Sequence, residues 1–165
     1  MSEQTSSRSD FRSAMTNLSA AVTVVTTDGR RGRAGMTVSA ACSVTDSPPT
    51  VLVCVNRSSR SHDVLVGNGR LCLNVLGREH EALAMHFAGA TRVPTAERFT
   101  DERWDLGTYG VPVLRGAAAA VIGTVRHRRE AGSHTVLFVD VEQVRTDDDG
   151  GALVYFRRRF HEISA

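Results

Sequence analysis

Residues 35–65 read GMTVSAACSVTDSPPTVLVCVNRSSRSHDVL, and this stretch decides the fold. Its first part alternates. Met36, Val38, Ala40, Cys42 and Val44 point one way; Thr37, Ser39, Ala41, Ser43 and Thr45 point the other, as in a β-strand. The DSPP run at 46–49 turns the chain, because neither proline can donate to a ladder. Residues 50–55 make a second strand. A corner rich in hydroxyls and arginines follows (Asn56, Arg57, Ser58, Ser59, Arg60, Ser61), then a helix that opens at Arg60 or Ser61 and ends at the GNG of 67–69.

Similar units flank this core. Residues 11–18 read as a short helix capped by Ser9 or Asp10, after a polar, Ser-rich lead at 1–10 with no apolar core, expected to be disordered. AVTVVTT (21–27) is a β-branched strand, and RLCLNVL (70–76) is a further strand. Residues 79–88 form a helix with Leu83 and Phe87 on its inner face. Residues 89–112 are long and irregular, hold the only Trp, and have the length of a functional loop or lid. Strands at 114–126 and 134–145 are joined by REAGS. DDDGG (147–151) turns into a last strand at 152–156. The pattern is one α+β domain dominated by β, an antiparallel meander that closes most easily into a small barrel.

Composition narrows the chemistry. The 165 residues suffice for one domain with its own core. The formal charge of +2 and 5% aromatics disfavour nucleic acid as a partner. All 20 basic residues are arginine, which removes lysine chemistry and makes each one a fork for phosphate or carboxylate. Cys42, Cys54 and Cys72 stand singly in apolar runs and read as buried thiols of a reducing cytoplasm. No apolar run reaches membrane-spanning length. HEALAMH (80–86) fails as a zinc motif: its histidines are six residues apart, about 120° around a helix. They read as surface or partly buried residues. No metal site is expected.

Two signals remain. Thr37, Ser39 and Ser43 form a stripe of small neutral hydroxyls, which suits a flat ligand lying against the strand. The corner at 56–61 offers hydroxyls, backbone N–H groups and arginines, as an anion cradle would. A simple Ser N-cap with solvated arginines fits the same residues.

Taken in order, these blocks resemble the flavin reductase family, the reductase components of two-component flavin-dependent monooxygenases. The resemblance runs from FRSAMTNLSAAVTVVTT (11–27) through GVPVLRGAAA (110–119) and AGSHTVLFVDV (131–141) to LVYFRRRF (153–160). It implies a Greek-key split β-barrel over residues 11–162, reduction of FMN or FAD by NADH or NADPH, a homodimer, and delivery of reduced flavin to a monooxygenase. It also assigns residues. Thr37, Val38 and Ser39 would hold the flavin ring rim, with Ser43 near its reactive edge. Cys54, Val55 and Asn56 would run beside the ring and ribityl chain. Ser59, Arg60 and Ser61 would hold the phosphate, with Phe87 and Ala88 alongside. His134 would serve the nicotinamide, with Tyr155 and Arg159 edging the same pocket; His134 and Ser43 are the candidate catalytic residues. The sequence departs from the family at Ser133, where an acidic residue is usual. A flavin carrier and a split-barrel oxidase acting on an organic substrate are the alternatives.

Overall fold

A computed structural model describes residues 7–147 and 150–165. Helix α1 (Arg8–Met15) leads into β1 (Ala20–Ala21), β2 (Thr23–Thr27), β3 (Ala34–Val38), β4 (Ala41–Asp46) and β5 (Pro49–Asn56). Helix α2 (His62–Asn68), β6 (Arg70–Val75) and α3 (Glu81–Phe87) follow. Short strands β7 (Trp104–Asp105) and β8 (Val113–Leu114) come next. The long hairpin β9 (Ala119–Ala131) and β10 (His134–Thr146) precedes β11 (Ala152–Phe156) and β12 (Arg159–Ile163). Seven strands form one sheet in the order β3-β2-β6-β9-β10-β5-β4, with every pair antiparallel. Its two edges, β3 and β4, are joined by only Ser39 and Ala40. The three steps from Val38 to Ala41 span roughly 11 Å at most, so the sheet must bend round on itself.

The sheet is filled from both sides. Val25, Val53, Val55, Leu65, Leu71, Leu73, Leu137 and Val139 pack in one core. Val22, Val24, Leu76, Leu83, Phe87, Phe99, Trp104 and Leu153 pack in another. All five residues of β2 are therefore buried, which accounts for its unbroken β-branched run. A second sheet, β1-β11-β12, is tied on by three backbone bonds: Val22 N to Leu153 O, Leu153 N to Leu76 O, and Leu76 N to Val22 O.

Several sequence expectations change here. The run at 35–45 is two strands on opposite sheet edges, and β4 is exposed on both faces apart from Ala41. The reason is that no element covers β4 within one chain. The same exposure reaches the cysteines: Cys42 is exposed, Cys54 half-buried, and only Cys72 is fully buried. Helix α1 begins at Arg8, three residues before the expected start. Ser7 and Asp10 form a reciprocal capping box, the Ser7 Oγ accepting from Asp10 N and the Asp10 carboxylate from Ser7 N. Residues 1–6 of the lead expected to be disordered lie outside the described residues.

The REAGS turn shortens to Gly132 and Ser133, with Gly132 at φ 56°, as a two-residue hairpin requires. The strand expected at 114–126 is interrupted at Gly116 (φ 75°) and restarts as β9. β12 was not anticipated. His80 is buried rather than superficial, its Nδ1 accepting from Gly77 N at 3.1 Å. Part of the DDDGG turn lies outside the described residues.

Candidate active site

The long segment after α3 is anchored at one end and open at the other. Phe99 and Trp104 bury their rings against Phe87, with ring centroids 4.9–5.5 Å apart. Residues 91–98 instead form a wall. Together with the 59–61 corner they enclose a cavity of about 500 Å³. Ser59, Arg60, Ser61, Phe87, Ala88, Arg92 and Arg98 line it, and no carboxylate does.

Ser61 precedes α2 but does not cap it by its side chain. Its Oγ donates to the Gly35 carbonyl at 2.9 Å and is buried, which pins the corner to β3. That hydroxyl's one proton is spent, and the N–H groups of Ser59 and His62 donate to Asn56 O and Ser59 O, so at this corner the donors left are Ser59 Oγ and the N–H and guanidinium of Arg60. Ser59 Oγ itself accepts from Ser61 N at 3.3 Å. Arg60 is exposed and makes no hydrogen bond or ion pair among the described residues. Asn56 is occupied locally: its Oδ1 accepts from Ser58 N and Ser58 Oγ.

A second cavity, about 590 Å³, lies along the β3 edge and shares Ala88 with the first. Thr37, Val38 and Ser39 line it, with Tyr155, Arg158, Arg159 and Glu81. The Thr37 hydroxyl is committed to the Ala84 carbonyl at 2.6 Å, which locks α3 to β3. The Ser39 hydroxyl has no hydrogen-bond partner among the described residues. The turn carrying Arg158 and Arg159 is unusual: Arg157 and Arg158 have φ of 49° and 63°. Such values are rare outside Gly, Asn and Asp. Arg157 anchors this turn, its N donating to Thr16 O at 2.8 Å and its Nε to Asn17 Oδ1 at 3.0 Å.

His134 lies elsewhere. It opens β10 opposite Asn56, in a concavity of about 790 Å³ lined also by Arg8, Arg12, Arg57, His62 and Glu130. Within one chain it is therefore not in the cavity that holds Tyr155 and Arg159, because His134 sits on β10 beside β5 in the seven-stranded sheet whereas Tyr155 and Arg159 belong to the separate β1-β11-β12 sheet. His134 Nδ1 is 2.9 Å from the Ser133 hydroxyl, so Ser133 fills by a neutral contact the place where an acid is usual. Val55 is fully buried and has only backbone to offer; Cys54 is half-buried on the outer face. Burial, and then the nearby Cys42, push the Cys54 thiol pKa up. Ser43 is exposed on β4 and lines none of these three cavities.

Sequence reasoning missed two features. Arg92 and Arg98, from the irregular loop, belong to the cradle cavity; only their being basic residues in an over-long loop hinted at it. His62 links the corner to the hairpin, its Nε2 2.9 Å from Thr135 Oγ1 and its Nδ1 2.8 Å from Asp63 Oδ1.

The arrangement offers an anion end of arginines and hydroxyls and, past Ala88, an uncharged β3 edge faced by Glu81, Arg158 and Arg159. The family model "Flavin reductase like domain" matches residues 15–164. The chain belongs to the flavin reductase family. It is 50% identical over 153 residues to the 4-hydroxyphenylacetate 3-monooxygenase reductase component of Pseudomonas aeruginosa, covering 93% of this chain and 90% of that one. It is 45% identical to the FMN reductase (NADH) RutF of Stutzerimonas stutzeri, over 96% and 90% of the two chains. The NADH:FAD oxidoreductase SgcE6 of Streptomyces globisporus superposes with a TM-score of 0.87 at 27% identity, over 100% and 99%. For a flavin reductase, the lining residues fit the group. A cavity with three arginines and no acid suits a phosphate, and an uncharged strand edge suits an aromatic ring.

Proposed function

We propose that this chain, an NAD(P)H-dependent flavin reductase that works with FMN or FAD and supplies reduced flavin to a partner monooxygenase, seats its flavin across the two cavities that meet at Ala88. The Ser59 hydroxyl and Arg60, through its guanidinium and its backbone N–H, hold the phosphate, with Ser61 and Phe87 fixing the corner from behind. Thr37, Val38 and Ser39 border the ring, and Cys54, Val55 and Asn56 give the adjoining backbone. When bound, the flavin supplies the hydride acceptor and the reduced nicotinamide the hydride. The protein's part is to stack the two, exclude water and offer N–H donors to the ring. Tyr155, Arg159 and His134 orient the nicotinamide, and Ser43 closes the ring edge.

The observation that carries this reading is the acid-free arginine cavity that shares Ala88 with a second cavity, one wall of which is the uncharged edge of β3 and the other Glu81, Arg158 and Arg159. Because His134 and Tyr155 occupy separate concavities in one chain, a homodimer completes the site. The outer face of β4, β5 and β10 supports that assembly. Cys42, Leu52 and Phe138 are in register there, Cys54 and Val136 lie beside them, and Val44 is 47% exposed. Such a pairing would cover the β4 edge and give the bent sheet the character of a split β-barrel. Three free thiols suit a reducing cytoplasm, and no helix among the described residues is long and apolar enough to cross a membrane.

Mixing the protein with NADH or NADPH and FMN or FAD should oxidise the nicotinamide in at least one combination, read as loss of its absorbance. No loss in any combination would favour a flavin carrier. Light scattering would decide the dimer.

A further inference from the structure

His134 is bracketed on both sides by bonds to residues 57 and 62. It opens β10 opposite Asn56, and Thr135 pairs with Val55. Just before it, the hairpin tip is tied to Arg57. The Arg57 N–H donates to the Ser133 carbonyl at 2.9 Å and its guanidinium to the Gly132 carbonyl at 3.3 Å, with Glu130 3.5 Å away. Just after it, the Thr135 hydroxyl lies 2.9 Å from His62 Nε2. His134 is the last rung of the ladder with β5, where a strand frays most readily. The direction of its ring therefore depends on what pins its neighbours.

The imidazole contact is the most directional of these. Asp63 Oδ1, 2.8 Å from His62 Nδ1, is a carboxylate oxygen that accepts, so Nδ1 carries a proton. In the neutral ring Nε2 is then an acceptor and takes the Thr135 O–H. Thr135 is buried, and His62 is its hydroxyl's one partner among the described residues. An acid, imidazole and hydroxyl in series can activate a nucleophile, but a buried threonine does not reach a substrate. What the series can do is hold a position. His62 is the first residue of α2, directly after the 59–61 corner, and it lines neither of the two cavities that meet at Ala88.

We infer that His62 is a positioning residue of the reductase reaction: acting through Thr135, it sets the direction in which His134 meets the nicotinamide, and it does so without touching the flavin. The inference rests on the reading that His134 serves the nicotinamide.

Steady-state kinetics with NADH and with NADPH, and fluorescence titration with FMN and with FAD, test it. Thr135→Val is nearly isosteric and removes the bond from a residue that does not line the His134 concavity. His62→Leu removes it from the other side. Each should raise the nicotinamide KM about threefold or more and leave the flavin Kd within about twofold of the wild type. His62→Gln, whose amide reaches Thr135, should keep KM within about twofold. In a His134→Ala background Thr135→Val should change KM by less than about 1.5-fold, because the residue it acts through is gone. An unchanged KM in both single variants would overturn the inference, as would a rise that persists in the His134→Ala background or an equal loss of flavin affinity. A rise in His62→Leu alone would overturn it too, since His62 would then meet the nicotinamide directly. Should His134→Ala itself leave KM unchanged, the reading of His134 would fall and this inference with it.

Discussion

Replacing Arg60 by Gln should separate binding from folding. Arg60 is exposed, makes no hydrogen bond or ion pair among the described residues, and acts on the fold mainly by repelling Arg98. Its removal should therefore leave the flavin-free protein's Tm unchanged or slightly raised. Flavin affinity should move the other way. A charged hydrogen bond to phosphate contributes about 1.5–3 kcal/mol, so at about 1.4 kcal/mol per decade Kd should rise roughly 10- to 150-fold. With flavin at 100 times the wild-type Kd, the wild type gains about 2.7 kcal/mol of stability, and a variant weakened about 30-fold gains about 0.9. For a chain of this size that is a ligand-induced Tm rise of roughly 5–11 °C against roughly 2–4 °C. Fluorescence titration and thermal melts with and without flavin read both quantities. A Kd unchanged within about twofold would remove Arg60 from the cradle. A flavin-free Tm lowered by several degrees would show that the arginine holds the fold instead.

His134→Ala should raise KM for the nicotinamide at least several-fold more than it raises Kd for flavin, since His134 lines a different concavity from Arg60; equal losses in steady-state kinetics and titration would refute that division. Asn74→Ala should lower Tm by roughly 4–12 °C in a circular-dichroism melt, for about 2–3 kcal/mol. It removes the acceptor for Leu114 N (2.8 Å) and the donor to Val24 O (2.9 Å) from a fully buried site, and a change under about 1 °C would show that the loss is absorbed. Burial holds the His80 pKa below its ordinary 6.5, partly opposed by Glu79. The unfolded chain therefore takes up the proton first, and the stability this neutral histidine contributes is full above about pH 6.5 and lost as pH falls through its lower folded value. Denaturant melts from pH 7.5 to 5 should show that decline in the wild type and a shallower one in His80→Gln; parallel slopes would exclude His80 as the source.

The chemistry of the strands and corners could be read locally. A β-branched run gave β2, the apolar-rich RLCLNVL gave β6, the inner-face pair Leu83 and Phe87 gave α3, and the hydroxyl–arginine corner between β5 and α2 was marked by composition alone. These features depend on neighbours along the chain, which set backbone propensity and side-chain period. What the tertiary structure decided depends on which strand lies beside which. Alternation across 35–45 is the same whether that run is one strand or two. Only the pairing of β3 with β2 and of β4 with β5 breaks it at Ser39–Ala40 and puts its halves on opposite edges. The hydroxyls of Thr37 and Ser61 looked free for a ligand, but they close onto Ala84 and Gly35, 47 and 26 residues away in the chain. Arg98 joins Arg60, 38 positions away in the chain, in one cavity because a buried Phe87–Phe99–Trp104 cluster holds the loop there. A hydrogen bond or a shared cavity is a fact about distance in space, and sequence separation does not encode it until the sheet has bent.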